Sequence, residues 1–403
     1  MKNAIPLALL AILTVIIGRS LVQNQIDAQI APSASEGQSI FRYDTFGDEQ
    51  LWTNVLQMQK AVSNVSPATA LSVGLKVDSD ALPTEIIDAI QGGTVDLNDP
   101  RVTIQLLKLN AVVGVIGKVT APNNHLAAVG ITCALCHSTV DNSVASGIGK
   151  RLDGWPNTDL NVGAIIALSP VLNVKEPFNS WGPGKFDPRF QAFDGKNLIP
   201  LHSPSLPVVI PPAFGLDGVG FETYNGDGPI SYWNNYVGVS QMGGHGSFSD
   251  PRIGLTIKQH PDLVTPKLPE LLQYQLSLNT PPPPAGSFDV EAANRGKTLF
   301  NGDAKCATCH IPPTYTDVLD GPDPSEPFLH DPLEIGTEPV YASRSATGKY
   351  RTTPLRALWQ HPPYFHDGSA ATLQAVVDHY NTQLSLGLTD DQKNDLVEFL
   401  KSL

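Results

Sequence analysis

The sequence has little charge, few aromatic residues and almost no cysteine. Charged residues occupy 16% of its 403 positions, aromatic residues occupy 7%, and four residues are cysteine. Positive charge is the scarcer sign, because 26 lysines and arginines stand against 39 aspartates and glutamates, giving a net charge of −13 at pH 7. This acidity argues against nucleic acid as a partner. It is compatible with a cationic protein partner.

A long apolar run occurs near the start of the chain. Ile5–Gly18 is almost wholly apolar, and Lys2 precedes it. The run is short for a membrane span, so the pattern predicts an export signal over residues 1–30. Because Ile26–Ala28 is a weak cleavage site, an uncleaved membrane anchor is the alternative. In either case we expect the rest of the chain to be periplasmic or otherwise exported.

Glycine and proline are abundant, with 34 and 35 residues respectively. This content predicts long, shaped loops that join short helices. Hydrophobic residues make up 41% of the chain, which is enough to build real cores. The length is typical of two or three domains.

All four cysteines fall in two copies of one pattern. Cys133–His137 reads C-A-L-C-H, and Cys306–His310 reads C-A-T-C-H. C-x-x-C-H is the attachment motif of haem c. Its two thiols are spaced to reach the two vinyl groups of one haem, and the histidine that follows is placed to ligate the iron. The sequence therefore predicts two haem c groups, attached at Cys133, Cys136, Cys306 and Cys309, with His137 and His310 as proximal ligands.

Three other uses of paired cysteines fit this pattern less well. Disulfides suit an exported chain but give no reason for a histidine after both pairs. A zinc site built from two C-x-x-C pairs usually has them about 15–20 residues apart, whereas Cys133 and Cys306 are far apart in the sequence. A thioredoxin-like pair requires a βαβ pattern, which is not evident here.

The chain divides at changes in composition. Pro281–Pro284 is a stiff polyproline spacer and the clearest boundary. Apolar helical stretches such as Ile104–Ile116 precede the first cysteine pair. The predicted segments are the signal peptide or anchor (1–30), an N-terminal helical extension (31–120), the first haem c domain (121–280), a Pro-rich linker (281–286) and the second haem c domain (287–403).

The last segment has the layout of a small cytochrome c fold. A helix predicted over Val290–Phe300 leads into the second haem motif, and another is predicted over residues 390–403. Thr389 and Gln392 can form a capping box for this last helix. We therefore expect a mainly α fold, with two cytochrome c-like haem domains, long Gly/Pro-rich loops and an N-terminal helical extension.

From Asp289 onward, the chain resembles the bacterial superfamily of di-haem cytochrome c peroxidases and MauG. The matching segments are R-G-K-T-L-F, C-A-T-C-H, Y-T-D, R-T-T-P-L-R, P-Y-F-H-D-G and a last block from A-T-L to H-Y-N, at 295–300, 306–310, 315–317, 351–356, 363–368 and 371–381. A weaker match, N-S-W-G-P-G at 179–184, resembles the segment that carries the family's bridging tryptophan.

The resemblance implies a division of labour between the haems. The second haem would take electrons from a small redox protein, either a cytochrome c or a cupredoxin. The first would keep an open axial position for hydrogen peroxide or O₂. Trp181 would relay electrons between them, although a core aromatic is the alternative reading. Arg356 and His366 would line the second haem near its propionates, with ordinary loop packing as the alternative.

The resemblance also implies a calcium ion. Asn161 lies where the family often has an asparagine ligand for calcium. The backbone carbonyls of His361 and Pro363 lie where the family supplies further ligands.

The sixth ligand of the second iron matters because axial ligands tune a haem's potential and access. The family offers methionine in the peroxidases and tyrosine in the MauG branch, and the matching residue here is Tyr380. On a helix that starts after Thr372, Tyr380 falls near the middle of the apolar face. His379 lies about 100° away around the helix and is the rival ligand. The alternative for Tyr380 is a buried phenol bonded elsewhere.

The first iron departs from the peroxidase pattern, in which a distal histidine follows the motif closely. No histidine lies between His137 and His202, and Asp153–Trp155 stands near the expected place. The iron is therefore either open or reached by a remote group, with Met242 and His245 as the leading candidates. Other remote histidines are His125, His202 and His260. No residue matches the family's distal acid.

Three functions follow as hypotheses. The first is a peroxidase-like oxidoreductase that moves electrons through the second haem to peroxide at the first. The second is a non-catalytic electron-transfer cytochrome with both irons six-coordinate. The third is an oxidase similar to MauG or to the di-haem rubber-cleaving enzymes, which Tyr380 favours.

Overall fold

A computed structural model describes residues 32–173, 175–323 and 325–403. The predicted signal segment lies outside these residues. Within the described ranges, no helix combines the length and the apolar character needed to cross a membrane.

Helices are the main regular elements, and most are short. The α-helices are α1 Ala34–Tyr43, α2 Met58–Val62, α3 Pro67–Ser72, α4 Thr84–Gln91, α5 Pro100–Lys108, α6 Ala134–His137, α7 Val162–Ile166, α8 Ile230–Tyr236, α9 Leu268–Ser277, α10 Val290–Asn301, α11 Pro332–Ile335, α12 Pro339–Ser343, α13 Leu373–Gln383 and α14 Asp390–Lys401. Two π-helices, Gln50–Val55 and Val237–Gln241, and several 3₁₀ turns interrupt the loops.

Strands occur as small pairs. The strands are β1 Val77–Asp78, β2 Val115–Thr120, β3 His125–Ile131, β4 Ser138–Val140, β5 Ile148–Gly149, β6 Arg151–Asp153, β7 Lys185–Phe186, β8 Gln191–Phe193, β9 Leu198–Pro200, β10 Val208–Val209, β11 Phe221–Glu222, β12 Gly228–Pro229, β13 Phe248–Asp250 and β14 Leu255–Ile257. Each sheet in the described part of the chain has two strands: β1 with β5, β2 with β3, β4 with β6, β7 with β10, β8 with β9, β11 with β12 and β13 with β14. The fold is thus helical with small sheets.

The stretch Ile104–Ile116, expected as helical, divides into two elements. Helix α5 ends at Lys108, and β2 begins at Val115. Between them Asn110 adopts a left-handed conformation, with a φ of 54°, and so does Gly114. A Cβ at Gly114 would collide with the backbone of Leu135 in the first haem motif. The helix therefore ends because the chain must turn to pass directly against α6.

The N-terminal segment and the first haem segment share their cores. One core includes Trp52 and Leu107 together with Leu135. A second joins Phe41 of α1 to Leu271 of α9. Residues predicted as an extension thus pack into the interior that surrounds the first motif.

The last segment contains both helices that the sequence predicted. Helix α10 begins at Val290, and α14 runs over Asp390–Lys401 with the capping box of Thr389 and Gln392 in place. These two helices touch at Gly296, where a Cβ would collide with the backbone oxygen of Asp395. The shared core is formed by Phe300, Ala304, Leu358, Leu373, Val377, Leu396, Phe399 and Leu400.

The contact at Gly296 yields a test of this packing. In Gly296→Ala, the added methyl group must push α10 and α14 apart. We expect a loss of about 1–3 kcal/mol in the free energy of unfolding, which outweighs the ~1 kcal/mol that alanine gains as a better helix former. Lys297→Ala, at an exposed position of the same helix, is the matched control. Chemical denaturation followed by far-UV circular dichroism would measure both, and a stabilised Gly296→Ala would contradict the contact.

Candidate haem attachment sites

The first motif lies where a strand turns into a short helix. Strand β3 ends at Ile131, and α6 carries Leu135 into the core while Cys133 and Cys136 stay partly accessible. The Nδ1 atom of His137 lies 3.1 Å from the backbone oxygen of Pro211. Burial lowers the pKa of His137 to about 4, so the imidazole is neutral near pH 7. Nδ1–H donates to this carbonyl, which leaves the lone pair of Nε2 free to bind a metal.

The second motif has the same arrangement on a different local fold. Cys306–Thr308 forms a 3₁₀ turn after Lys305, which is left-handed with a φ of 55°. The Nδ1 atom of His310 lies 2.9 Å from the backbone oxygen of Tyr315. Burial lowers the pKa of His310 as well. Its Nε2 is therefore also presented as a neutral ligand.

The donor sets fit haem c better than the other uses of paired cysteines. The four thiols are free rather than joined in disulfides. Burial raises the pKa of Cys133 and Cys136 to about 12 and that of Cys306 to about 11. A thioredoxin-like redox pair needs a lowered thiol pKa instead. Two protonated thiols followed by a histidine with a free Nε2 match the requirements of a c-type haem at each motif.

Tyr380 faces the second cysteine pair. Burial, together with smaller contributions from the neighbouring Cys309 and Cys306, raises its pKa to about 12. Its ring lies 6.0 Å from that of Phe365. No hydrogen-bond partner for its hydroxyl occurs among the described residues. The rival, His379, already places its Nε2 atom 2.9 Å from the backbone oxygen of Ile335.

Arg356 and His366 lie in different surroundings. Arg356 is half-buried against Gly215, and its nearest acceptor is the backbone oxygen of Asp217 at 3.5 Å. His366 is buried and bonds to other side chains of the last segment, Glu338 and Tyr350. The structure therefore gives His366 its own polar network, whereas the guanidinium of Arg356 keeps most of its donors free.

Trp181 is an interior aromatic. Its indole nitrogen donates to the hydroxyl of Ser205 at 2.9 Å. Its ring packs edge-on against Phe178, Phe186 and Phe190, all from the same stretch of chain. Among the aromatic contacts of the described residues, none links Trp181 to the last segment.

A different tryptophan pair connects the first haem segment to the last segment, and sequence reasoning missed this contact. Trp155 follows Gly154, whose backbone N–H donates to the oxygen of His137 at 2.8 Å. Its ring lies 5.7 Å from that of Trp359, in an edge-on arrangement. Trp359 belongs to the 3₁₀ turn Leu358–Gln360, which packs on the core of the last segment.

The turn that carries Trp359 is anchored from the end of the chain. Ala357, left-handed with a φ of 49°, donates its backbone N–H to the oxygen of Leu403 at 3.0 Å. The indole nitrogen of Trp359 is buried without a protein partner in the described part of the chain. Trp155 lay in a segment already singled out in the sequence and Trp359 between Arg356 and His361, but only tertiary contact pairs them.

Met242 and His245 lie in one glycine-rich turn but have different surroundings. Met242 is buried in the core that also contacts Cys133. The Nδ1 atom of His245 lies 2.7 Å from the backbone oxygen of Pro261, and the residue is half-buried. The remaining remote histidines are exposed or half-buried: His125, His202 and His260. Of the remote candidates, Met242 is the one that the structure places in the core around the first motif.

A buried acid near the first motif also escaped sequence reasoning. Asp48 is fully buried, and its carboxyl accepts the backbone N–H of Ile131 at 3.0 Å. Burial raises its pKa well above the usual range. This places a carboxyl group that can retain a proton close to the first motif, supplied by the N-terminal segment.

Asn161 acts as a helix cap. Its Oδ1 accepts the backbone N–H of Ala164 at 3.0 Å at the start of α7. An amide oxygen has two lone pairs, so one stays available to a calcium ion.

Comparison with known proteins adds curated relatives, although no family model matches the chain. It is 33% identical over 128 residues to the methylamine utilization protein MauG of Methylorubrum extorquens, which covers 28% of this chain and 34% of that protein. It is 31% identical over 149 residues to the cytochrome-c peroxidase IdrP1 of Denitromonas iodatirespirans, which covers 28% of this chain and 40% of that protein.

The chain thus spans two fifths or less of the length of these two relatives. A solved MauG-like protein associated with microbial copper homeostasis superposes with a TM-score of 0.35 and 20% identity, over 54% of this chain and 85% of that one. Over the segment shared with its curated relatives, the chain is similar to MauG and to the di-haem cytochrome c peroxidases, which is the resemblance that its motifs predicted.

Proposed function

We propose that the chain is an exported di-haem c-type cytochrome that reduces hydrogen peroxide with electrons from a small redox protein. One observation carries the proposal. Both C-x-x-C-H histidines give their Nδ1–H to a backbone carbonyl and keep Nε2 free. A haem bound at such a site supplies one-electron chemistry and an iron that can bind an oxygen species.

The first site is proposed as the reactive one. Cys133, Cys136 and His137 would hold the haem, and the carbonyl of Pro211 would fix the orientation of the imidazole. No histidine of the described residues occupies the position of a distal ligand soon after the motif. Asp48 would retain a proton at its carboxyl group near this site, which is the role expected of a general acid.

The second site is proposed to receive electrons. Cys306, Cys309 and His310 would hold the haem, and Tyr380 would supply its phenol oxygen as the sixth ligand. The acidic net charge supports a basic cytochrome c or cupredoxin as the donor. Arg356 would place its guanidinium near a propionate.

The electron route is proposed to run through Trp155 and Trp359 rather than through Trp181. The first pair spans the two segments, whereas Trp181 is enclosed by residues of one segment.

The first experiment is a haem count with spin-state analysis. We expect two haems per chain in a pyridine haemochrome assay. Electron paramagnetic resonance (EPR) should show one high-spin iron, in the ferric protein or after one-electron reduction, and peroxide should be consumed with a reduced cytochrome. Two low-spin irons in both states would favour the electron carrier instead. No peroxide turnover with any donor would remove the peroxidase function.

The presence of a phenol at the second site specifically favours the MauG-like oxidase as a second function. In that case O₂ or peroxide would be used to oxidise a larger organic or protein substrate. A product formed from such a substrate, with little turnover of a reduced cytochrome, would distinguish this function from the first.

Ligation by Tyr380 is testable by a single substitution. Tyr380→Phe removes the oxygen but keeps the ring, so the absorption and EPR spectra of one haem should change while those of the other stay the same. Tyr364→Phe is the matched control, because its hydroxyl donates to the backbone oxygen of Leu358 in the same segment. Unaltered spectra in Tyr380→Phe would exclude Tyr380 as a ligand.

The electron route is testable by comparing three variants. Trp155→Phe and Trp359→Phe keep an aromatic ring but lose an oxidisable indole. We expect electron transfer between the haems to slow by about tenfold or more, equivalent to ~1.4 kcal/mol in the barrier. Trp181→Phe should leave this rate unchanged. Stopped-flow mixing of the one-electron-reduced protein with peroxide measures this rate. If only Trp181→Phe slows electron transfer, Trp181 is the relay instead.

A further inference from the structure

Tyr350 is a buried phenol beside a carboxylate and an imidazole. The residue is 3% exposed. Its hydroxyl lies 3.1 Å from Oε1 of Glu338 and 3.1 Å from Nε2 of His366. The backbone oxygen of Glu338 lies 2.9 Å from the same hydroxyl. The phenolic proton is therefore within hydrogen-bond reach of a carboxylate that can accept it.

The imidazole is connected to the carboxylate, and the carboxylate reaches solvent. Oε1 of Glu338 lies 3.0 Å from Nε2 of His366. Although burial opposes it, the backbone N–H of Tyr341 and the hydrogen bond from His366 lower the pKa of Glu338. Burial lowers the pKa of His366, so its ring is neutral near pH 7. The Glu338 side chain is 35% exposed, so a proton that arrives there can leave to water.

This arrangement matters because a phenol becomes a strong acid once it has lost an electron. A buried tyrosine can therefore be oxidised readily only where a base accepts its proton in the same step, since an isolated charge in the interior is costly. Burial and the nearby Glu338 carboxylate raise the pKa of Tyr350, so the resting phenol keeps its proton.

Other tyrosines in the described residues lack this combination. Tyr224 lies against the same imidazole, with ring centroids 6.1 Å apart, but its hydroxyl donates to the backbone oxygen of Val209. A carbonyl cannot take the proton away. The carboxylates that accept from Tyr232 and Tyr274 are each paired with an arginine, which weakens them as bases.

Tyr350 also lies close to the second motif. Its backbone pairs with that of His330 through two hydrogen bonds, of 2.7 and 3.0 Å. The ring of His330 meets the carboxylate of Asp317 beside Cys309, and the donor atoms of these three residues lie within 4.8 Å of one another. Tyr350 is therefore linked to Cys309 of the second attachment site through its backbone pairing with His330.

We infer that Tyr350 is a redox site, which gives one electron to the centre at the second motif after peroxide has oxidised the protein. The inference rests on the proposed function. Reduction of one hydrogen peroxide to two waters consumes two electrons and two protons. Tyr350 supplies one electron, and its proton passes to the carboxylate of Glu338, which His366 also contacts. The redox partner supplies the other electron, and a later electron and proton restore the phenol.

The test uses the haem-loaded protein, mixed with hydrogen peroxide and freeze-quenched for EPR, with peroxide consumption followed in the same samples. We expect a tyrosyl signal that narrows when the protein contains ring-deuterated tyrosine. The signal should vanish in Tyr350→Phe. It should also vanish in Glu338→Gln, which keeps the phenol but removes the carboxylate base. Tyr224→Phe, the matched control on the same imidazole, should keep the signal, and haem content and circular dichroism check that each variant folds.

The possible outcomes separate the inference from the proposed function. A signal that persists in Tyr350→Phe, or peroxide consumption without any tyrosyl signal, overturns the role of Tyr350 and leaves the peroxidase function standing. If peroxide is not consumed, the proposed function fails. The same variants are also oxidised by flash photolysis with ruthenium tris(bipyridine) and persulfate. In this photolysis experiment, a tyrosyl signal that is lost in Tyr350→Phe supports the redox role of Tyr350. A tyrosyl signal that is unchanged in Tyr350→Phe overturns that role.

Discussion

The hydrogen bond from Nδ1 of each motif histidine to a backbone carbonyl is the interaction on which the proposed chemistry depends. A free imidazole can carry its proton on either nitrogen, and only the tautomer with the proton on Nδ1 leaves Nε2 able to bind iron. Pro211 and Tyr315 supply the two carbonyls from different kinds of loop. A c-type site is therefore more than its five-residue motif, because a carbonyl outside the motif fixes the tautomer and the orientation of the histidine ring.

The N-terminal segment is part of the first site. Arg42 of α1 forms an ion pair with Asp153 at 2.5 Å, and the hydroxyl of Ser138, the residue after the first motif, donates to the same carboxylate at 2.7 Å. Asp48 contacts the segment that leads into the motif, because its carboxyl accepts the backbone N–H of Ile131. The chain before the first cysteine pair thus supplies charged and acidic groups to a site whose covalent anchors lie far along the sequence.

Sequence reasoning was strongest where the signal is local. Helices α10 and α14 and the capping box at Thr389 depend on residues within one or two turns of each other, and the structure contains all of these elements. The family resemblance also followed from short contiguous blocks, and curated relatives share it over part of the chain.

Sequence reasoning failed where distant residues decide the outcome. The end of α5 is set by close packing on Leu135, which hydropathy between 104 and 116 does not reveal. The contact between Trp155 and Trp359 joins residues on either side of the polyproline spacer. Asp48 reads as an ordinary surface acid until burial raises its pKa. The roles of Tyr380, Arg356 and Asn161 remain predictions that spectroscopy and substitution can decide.

The backbone hydrogen bond from Ala357 to Leu403 links the contact between the two tryptophans to a residue far from both of them in sequence. Because this bond anchors the turn that presents Trp359 to Trp155, a change that displaces Leu403 also displaces the indole of Trp359. Residues that never touch an indole can therefore set the distance between the two rings.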